Sequence, residues 1–343
     1  MEEERTKPVT IKDVAREAGV SIATVSRLLN GLDGVAPERA QRIRDAVEKL
    51  HYQPNSMARA LKIRESRSIG LIIPDIENPF FPALVRGVED AAQLHGYAVI
   101  LCNTDGKPTR EEEYMKFLYQ KQVDGILFAG NLDFAENSHW LSTIQLPIVL
   151  LDRRIPGAPY SAVLSANEDG AYLAVQHLIA QGCRQIAVIG GRARSPVSNE
   201  RLQGYRQALI DNKMEADEML CKEGNFSFEG GYQAMESLLA GGKPFDGLFA
   251  ANDMMAIGAL QCLERHGRKV PEEIAVVGYD DIQMAAWYKP ALTTMGQPVY
   301  EMGRLAVAKL VEEIGGKNVV RQEQILQPHL VVRQSSLRKG QER

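Results

Sequence analysis

The chain has 343 residues, 45% hydrophobic and 24% charged, a balance that suits a soluble globular protein of two or three domains rather than a disordered one. Its longest apolar run, Ile69-Gly70-Leu71-Ile72-Ile73, falls far short of the roughly eighteen residues of a membrane span, and the acidic start Met1-Glu2-Glu3-Glu4 opposes a secretory signal, so no membrane contact and a cytoplasmic location are expected. The net charge of −4 is unevenly spread: residues 1–64 hold 12 Lys and Arg against 9 Asp and Glu, whereas residues 65–343 hold 28 against 35, and a basic head on an acidic body points the head toward a polyanion.

Three short helical patterns open the chain. The first starts at Thr10, with Asp13 three residues on in a capping-box arrangement, and has Ile11, Val14, Ala15 and Ala18 as its apolar stripe. Gly19 supplies a sharp turn, Ser21 can cap a second helix running to about Leu29, and Pro37 opens a third whose stripe is Ala40, Ile43, Val47 and Leu50. Two helices joined by a tight turn and backed by a third make a helix-turn-helix, whose second helix enters the major groove of DNA. Its outward residues are Ile22, Ala23, Thr24, Ser26 and Arg27. Arg27 suits a bidentate guanine contact, and Ile22 and Ala23 can touch thymine methyls. Thr10, Ser21, Asn30, Asn55, Ala58 and Arg59 complete the expected DNA contacts.

Next, Pro54 interrupts the third helix and Asn55 can cap a new one over residues 56–61, about two turns. So short a helix is marginal alone in water, and it is expected to form on DNA beside its copy from a second subunit.

The runs Thr10-Ile11-Lys12-Asp13-Val14-Ala15, Gly19-Val20-Ser21-Ile22-Ala23-Thr24-Val25-Ser26-Arg27 and Tyr52-Gln53-Pro54-Asn55, with Ala58-Arg59-Ala60-Leu61, resemble the head of the lactose/galactose repressor (LacI/GalR) family. The likeness extends over nearly the whole chain; Ala36 departs from it, standing where the family commonly has a Ser or Thr cap. The resemblance implies that the paired hinge helix lies in the minor groove with Leu61 wedged into a base step, a known use of apolar side chains.

Beyond residue 66, apolar runs at 68–73, 98–102, 125–129, 148–151, 186–189, 247–250 and 274–278 alternate with helical patterns at 82–95, 111–121, 170–181, 200–212, 230–240 and 253–266. This alternation predicts doubly wound parallel sheets, and the length fits two α/β lobes. The body resembles periplasmic sugar-binding proteins of type I, which implies three crossings between lobes, expected near residues 163, 294 and 326. The expected layout is thus 1–52 as the DNA-binding domain, 53–65 as the hinge, and 66–343 as the regulatory domain. Its N-lobe takes 66–163 and 295–326, and its C-lobe 164–294 and 327–343.

Ligands in open α/β sheets sit beyond the carboxyl ends of strands, and polar residues cluster there: Asn78, Asp152, Arg153, Arg201, Asn252, Asp280 and Gln297, with Phe80, Phe81 and Phe226 as aromatic faces. Carboxylates, amides and guanidiniums pair with adjacent hydroxyls, and rings stack on C–H surfaces, so the set has the chemistry of a sugar site. Taken singly, Asp or Asn after a strand is more often a helix cap, as at Asp169, Asp253 and Asp281. These ten positions also match sugar-binding positions of ribose-binding proteins, and residues 75–82 and 151–159 resemble bacterial ribose operon repressors, which implies D-ribose or a close pentose as effector.

The resulting expectation is a homodimeric repressor on a palindromic operator, released when sugar closes the lobes. A regulator answering to a phosphocarrier protein, or to another sugar, is the alternative; the intact polar set argues against an empty pocket. No P-loop, G-x-S-x-G elbow or metal cluster supports an enzyme. Cys102, Cys183, Cys221 and Cys262 lie 81, 38 and 41 residues apart, too far for a CxxC zinc site, so neither catalytic residues, metal nor cofactor is expected.

Overall fold

The computed structural model describes residues 9–29, 33–52, 66–130, 146–155, 159–193, 195–316 and 321–338. The expected DNA contacts Asn30, Asn55, Ala58, Arg59 and Leu61 lie outside them. The chain divides into two compact units, Met1–Ser66 and Arg67–Arg343.

The first unit holds α1 (Ile11–Ala18), α2 (Ile22–Leu29) and α3 (Pro37–Lys49). Thr10 gives both its N–H and its hydroxyl to the Asp13 carboxylate, at 3.0 and 2.6 Å, which holds that carboxyl below its ordinary range and starts α1. Gly19, with φ 60°, ends the helix and takes it into the turn. Ser21 accepts the Thr24 N–H at 3.1 Å and so caps α2. Val14, Ala15, Ala18, Val25, Ile43 and Ala46 form the core, and two alanines on α1 let the helices approach closely. Ala36 provides no side-chain cap for α3, whose start rests on Pro37 in its first turn.

Among the described residues, the body contains two six-stranded sheets. The first comprises β1 (Ser68–Ile73), β2 (Ala98–Asn103), β3 (Gly125–Phe128), β4 (Ile148–Leu151), β5 (Ser161–Ser165) and β11 (Glu323–Leu326), in the order β11-β5-β4-β3-β1-β2, all parallel. The second comprises β6 (Ile186–Gly190), β7 (Cys221–Glu223), β8 (Gly247–Ala250), β9 (Ala275–Asp280), β10 (Thr293–Gly296) and β12 (His329–Val331), in the order β12-β10-β9-β8-β6-β7, with only β12 antiparallel. Central strands covered on both faces read as unbroken apolar runs, which is why β1, β3 and β4 were legible.

Helices α4 (Phe80–Leu94), α5 (Pro108–Gln120) and α11 (Val299–Ile314) cover the first sheet. The second carries α6 (Asn167–Ala180), α7 (Pro196–Asp211), α8 (Phe228–Ala240) and α9 (Asp253–Arg265), with the short α10 (Gln283–Trp287) beside them. Several helices begin two to four residues ahead of their apolar periodicity. Ser195 and Ser227 accept the N–H groups of Ser198 and Gly230, so α7 and α8 start at polar caps that periodicity does not register. The chain leaves the first sheet after Ser165, returns after Gly296 and leaves again after Leu326. The first two crossings therefore follow two complete strands, β5 and β10, whose Ser and Thr residues disguise them in the sequence.

Candidate ligand cleft and nucleic-acid face

The carboxyl ends of both sheets face one cleft, with about 560 Å3 of empty space including its solvent mouth. Eight of the ten expected residues line it: Asn78, Phe80, Phe81, Asp152, Arg153, Arg201, Phe226 and Asp280. The first five come from the first lobe and the other three from the second, so neither lobe alone contains the site.

The backbone is strained where these residues stand. Asp152 has φ 59°, Asn225 56°, Phe226 62° and Asp280 117°, left-handed values that non-glycine residues rarely adopt. Each costs about 1–3 kcal/mol, and such outliers gather where a side chain must be aimed rather than merely packed.

Arg201 is held on three sides. Its Nε donates to Asn167 Oδ1 at 2.9 Å, its Nη1 to the Ala251 carbonyl at 2.6 Å and to Asp280 Oδ1 at 3.4 Å, and its guanidinium lies 3.7 Å from the centre of the Tyr279 ring. Burial pushes the Asp280 carboxyl up to about 7, against the pull of Arg201 and of a 2.8 Å bond from Gln297 Nε2. Burial also raises Asp152, opposed by Arg201 and Arg153, and lowers the Arg153 guanidinium, opposed by Asp152. Among the described residues, Asp152 Oδ1 and Arg153 Nε and Nη1 are buried without a hydrogen-bond partner. Such groups cost about 1–3 kcal/mol each unless something in the cleft binds them. The rings of Phe80 and Phe81 meet edge to face, 5.0 Å between centres at 82°, and set one apolar wall.

Asn252 and Gln297 stand one step behind the lining. Asn252 caps α9 by accepting the Met255 N–H at 2.9 Å, and its Nδ2 holds the Phe226 carbonyl at 3.0 Å. Gln297 bonds Asp280, and its Oε1 is buried with no partner among the described residues. Asp253 and Asp281 are structural: Asp253 accepts from the Thr294 hydroxyl and the Ile282 N–H, and Asp281 pairs with Arg333. Burial raises the Asp253 carboxyl well above its ordinary range, with Asp280 adding to the effect.

Pro74, Asp75, Arg192, Ser195, Val197 and Asn225 also line the cleft but were absent from the expected set. Asp75 follows β1 as Asp152 follows β4, so its signal was present. Arg192 sits in a Gly-Gly-Arg-Ala-Arg loop that favours none of its arginines by pattern. It lies on the second lobe and reaches the Gly106 carbonyl of the first at 3.5 Å.

On the first unit, Ile22, Ala23 and Arg27 are exposed along one side of α2, and Thr24 and Ser26 are half-buried. Ile22 is 44% exposed, a large apolar side chain offered to solvent at the start of a helix. The Ser21 hydroxyl is engaged by both the N–H and the hydroxyl of Thr24, which places it in the cap of α2.

A helix-turn-helix head together with a two-lobed body that converges on a polar cleft is the build of a ligand-responsive regulator. The profile of bacterial regulatory proteins of the lacI family matches residues 10–55, and that of a periplasmic binding protein-like domain matches residues 175–336. The chain belongs to the LacI family and is a transcriptional repressor of that kind rather than an enzyme. It is 36% identical to a ribose operon repressor of Halalkalibacterium halodurans over 95% of this chain and 97% of that one. It is also 36% identical to the transcriptional repressor PurR of Aliivibrio fischeri, over 95% and 98%. Among solved structures, a lac repressor dimer bound to operator and the anti-inducer ONPF superposes with a TM-score of 0.88 at 29% identity, covering 97% of this chain and 100% of that one. A LacI-family regulator of Enterococcus faecium with bound ribose gives 0.70 at 32% identity, over 78% and 98%.

Proposed function

We propose that the protein is a cytoplasmic, dimeric repressor that holds a palindromic operator through α2 and is released by a small neutral sugar, D-ribose or a close pentose, bound in the cleft. The observation that carries this reading is the composition of the cleft. Its lining has three carboxyls, Asp75, Asp152 and Asp280, and three guanidiniums, Arg153, Arg192 and Arg201, with buried Asp152 and Arg153 atoms that find no partner among the described residues. Acceptor carboxyls interleaved with donor guanidiniums suit a neutral polyol, whose hydroxyls can donate to the first and accept from the second; a phosphate would be opposed by the carboxyls. The ribose repressor among its relatives and the ribose-bound neighbour support the same ligand class.

Sugar bridging residues of both lobes stabilises the closed body, and the operator-holding form must differ from it for release to follow. The coupling is reciprocal, so operator weakens sugar binding by the factor by which sugar weakens operator binding. The two-fold axis of a homodimer matches that of a palindrome, so one operator takes one dimer.

Calorimetry of the full chain against pentoses, hexoses, their phosphates and purine bases tests the reading, with a gel-shift assay for operator. D-ribose is expected to bind and to release operator, and Arg201→Ala to abolish both. Binding of a purine in place of every sugar, or sugar response unchanged in Arg201→Ala, would overturn it.

A further inference from the structure

The acceptor of Arg201 Nε, Asn167, does not itself line the cleft. We propose that Asn167 is the positioning residue of Arg201: Asn167 keeps Arg201 aimed into the cleft, away from a competing carboxylate, and ties it to the first crossing between the lobes. The proposal rests on the sugar-cleft reading above.

Asn167 is the first residue of α6, two residues beyond Ser165 where the first sheet ends. It is 2% exposed, and both ends of its amide are used. Oδ1 accepts from Arg201 Nε at 2.9 Å, and Nδ2 donates to Glu200 Oε2 at 3.0 Å. A short amide can accept from a guanidinium through its oxygen and donate to a carboxylate through its nitrogen, as Asn167 does here. It therefore stands as a neutral spacer between Arg201 and Glu200. Without it, Arg201 Nε loses its acceptor and Glu200 Oε2 its donor, and the two groups that Asn167 had bridged are free to pair with each other, away from the cleft.

Packing holds the spacer in place. Helices α6 and α7 cross so closely that a Cβ on Gly204 would stand 2.1 Å from the Glu168 carbonyl oxygen. Glu168 follows Asn167, and Gly204 lies one helical turn after Arg201, so the approach of the helices sets the distance between the two polar side chains. The line of bonds continues. Asp280 Oδ1 receives both Arg201 Nη1 and Gln297 Nε2, and Gln297 follows β10 at the second crossing. Asn167, Arg201, Asp280 and Gln297 thus join two of the three crossings through the residues that grip the ligand. A ligand that draws on Arg201 pulls on the backbone where the lobes pivot.

The test uses the full chain and D-ribose. Asn167→Ala is expected to weaken D-ribose binding at least tenfold while melting shows a folded body. Glu200→Gln alone is expected to stay within about twofold of wild type. Combined, they should recover most of the loss, because the competing carboxylate is gone. Should Asn167→Ala fail to fold, Asn167→Leu, which keeps a branched outline but offers Arg201 no acceptor and Glu200 no donor, carries the same test. Wild-type affinity in either Asn167 variant, or no recovery with Glu200→Gln, would overturn the proposal. The Arg201 Nε–H resonance in a nitrogen-15 spectrum, assigned with Arg201→Lys, gives a readout without sugar. Slow exchange in wild type that is lost in Asn167→Ala sustains the role of Asn167 even if no sugar binds, and fast exchange in wild type overturns it.

Discussion

Asp280→Asn separates stability from ligand binding. The Asp280 carboxyl is buried and pushed from its ordinary 3.8 up to about 7, so between these values the folded chain holds a proton that the unfolded chain has lost. Stability then falls as pH rises, and the cost of the aspartate relative to a neutral side chain reaches about 4 kcal/mol at pH 8 but only about 1–2 kcal/mol at pH 5. Asparagine keeps an oxygen to accept from Arg201 Nη1 and Gln297 Nε2 and carries no charge to bury. The variant should therefore melt several degrees higher than wild type at pH 8, with the gain at least halved at pH 5; for a body of this size about 1 kcal/mol moves the midpoint by about 2 °C. D-ribose affinity should fall at least tenfold, because a charge-assisted acceptor worth about 1.5–3 kcal/mol is lost. In wild type, affinity should drop about tenfold from pH 8 to pH 6 as Asp280 takes up its proton. Scanning calorimetry at both pH values and titration with ribose check this. A variant that melts lower at pH 8, or binds ribose as wild type does, would refute the reasoning.

Three further outcomes are expected. A Cβ on Gly106, whose φ is 63°, would stand 1.7 Å from Arg192 Nη1, so Gly106→Ala should displace the arginine from its contact between the lobes. Ribose should then bind about three- to tenfold more weakly although neither residue at 106 touches it, as lost hydrogen bonds of about 0.5–1.5 kcal/mol imply; titration against the double variant with Arg192→Met should show no added loss. Ala36→Ser should supply the missing cap of α3, steadying the head by about 1 kcal/mol, seen as slower amide exchange in residues 37–49. Arg27→Ala should weaken operator binding by about 1–3 kcal/mol in a gel shift and relax the choice of base at one position of each half-site; equal loss on every sequence would instead mark a phosphate contact.

The sequence by itself determined the head, because a helix-turn-helix is local: caps, turn and stripe lie within forty-odd residues, and Thr10, Gly19, Ser21 and Pro37 act where they stand. It also determined the two-lobed α/β body, since strands buried on both faces have no polar residues to interrupt them, and it marked eight of the cleft residues, because strand ends are where such sheets expose side chains. Only the tertiary structure decided which polar residues touch the cleft and which stand behind it. Asn252 and Gln297 carry the same local signal as Asp152 and Asp280, and their places depend on a helix cap and on the path of a crossing. Asn167 and Arg192 gain their meaning from partners 34 and 86 residues away, and hydrogen bonds across such separations leave no periodicity in the chain. Local rules reach as far as one element and its cap; the meeting of two sheets and the helices between them is set by packing, which only the folded chain expresses.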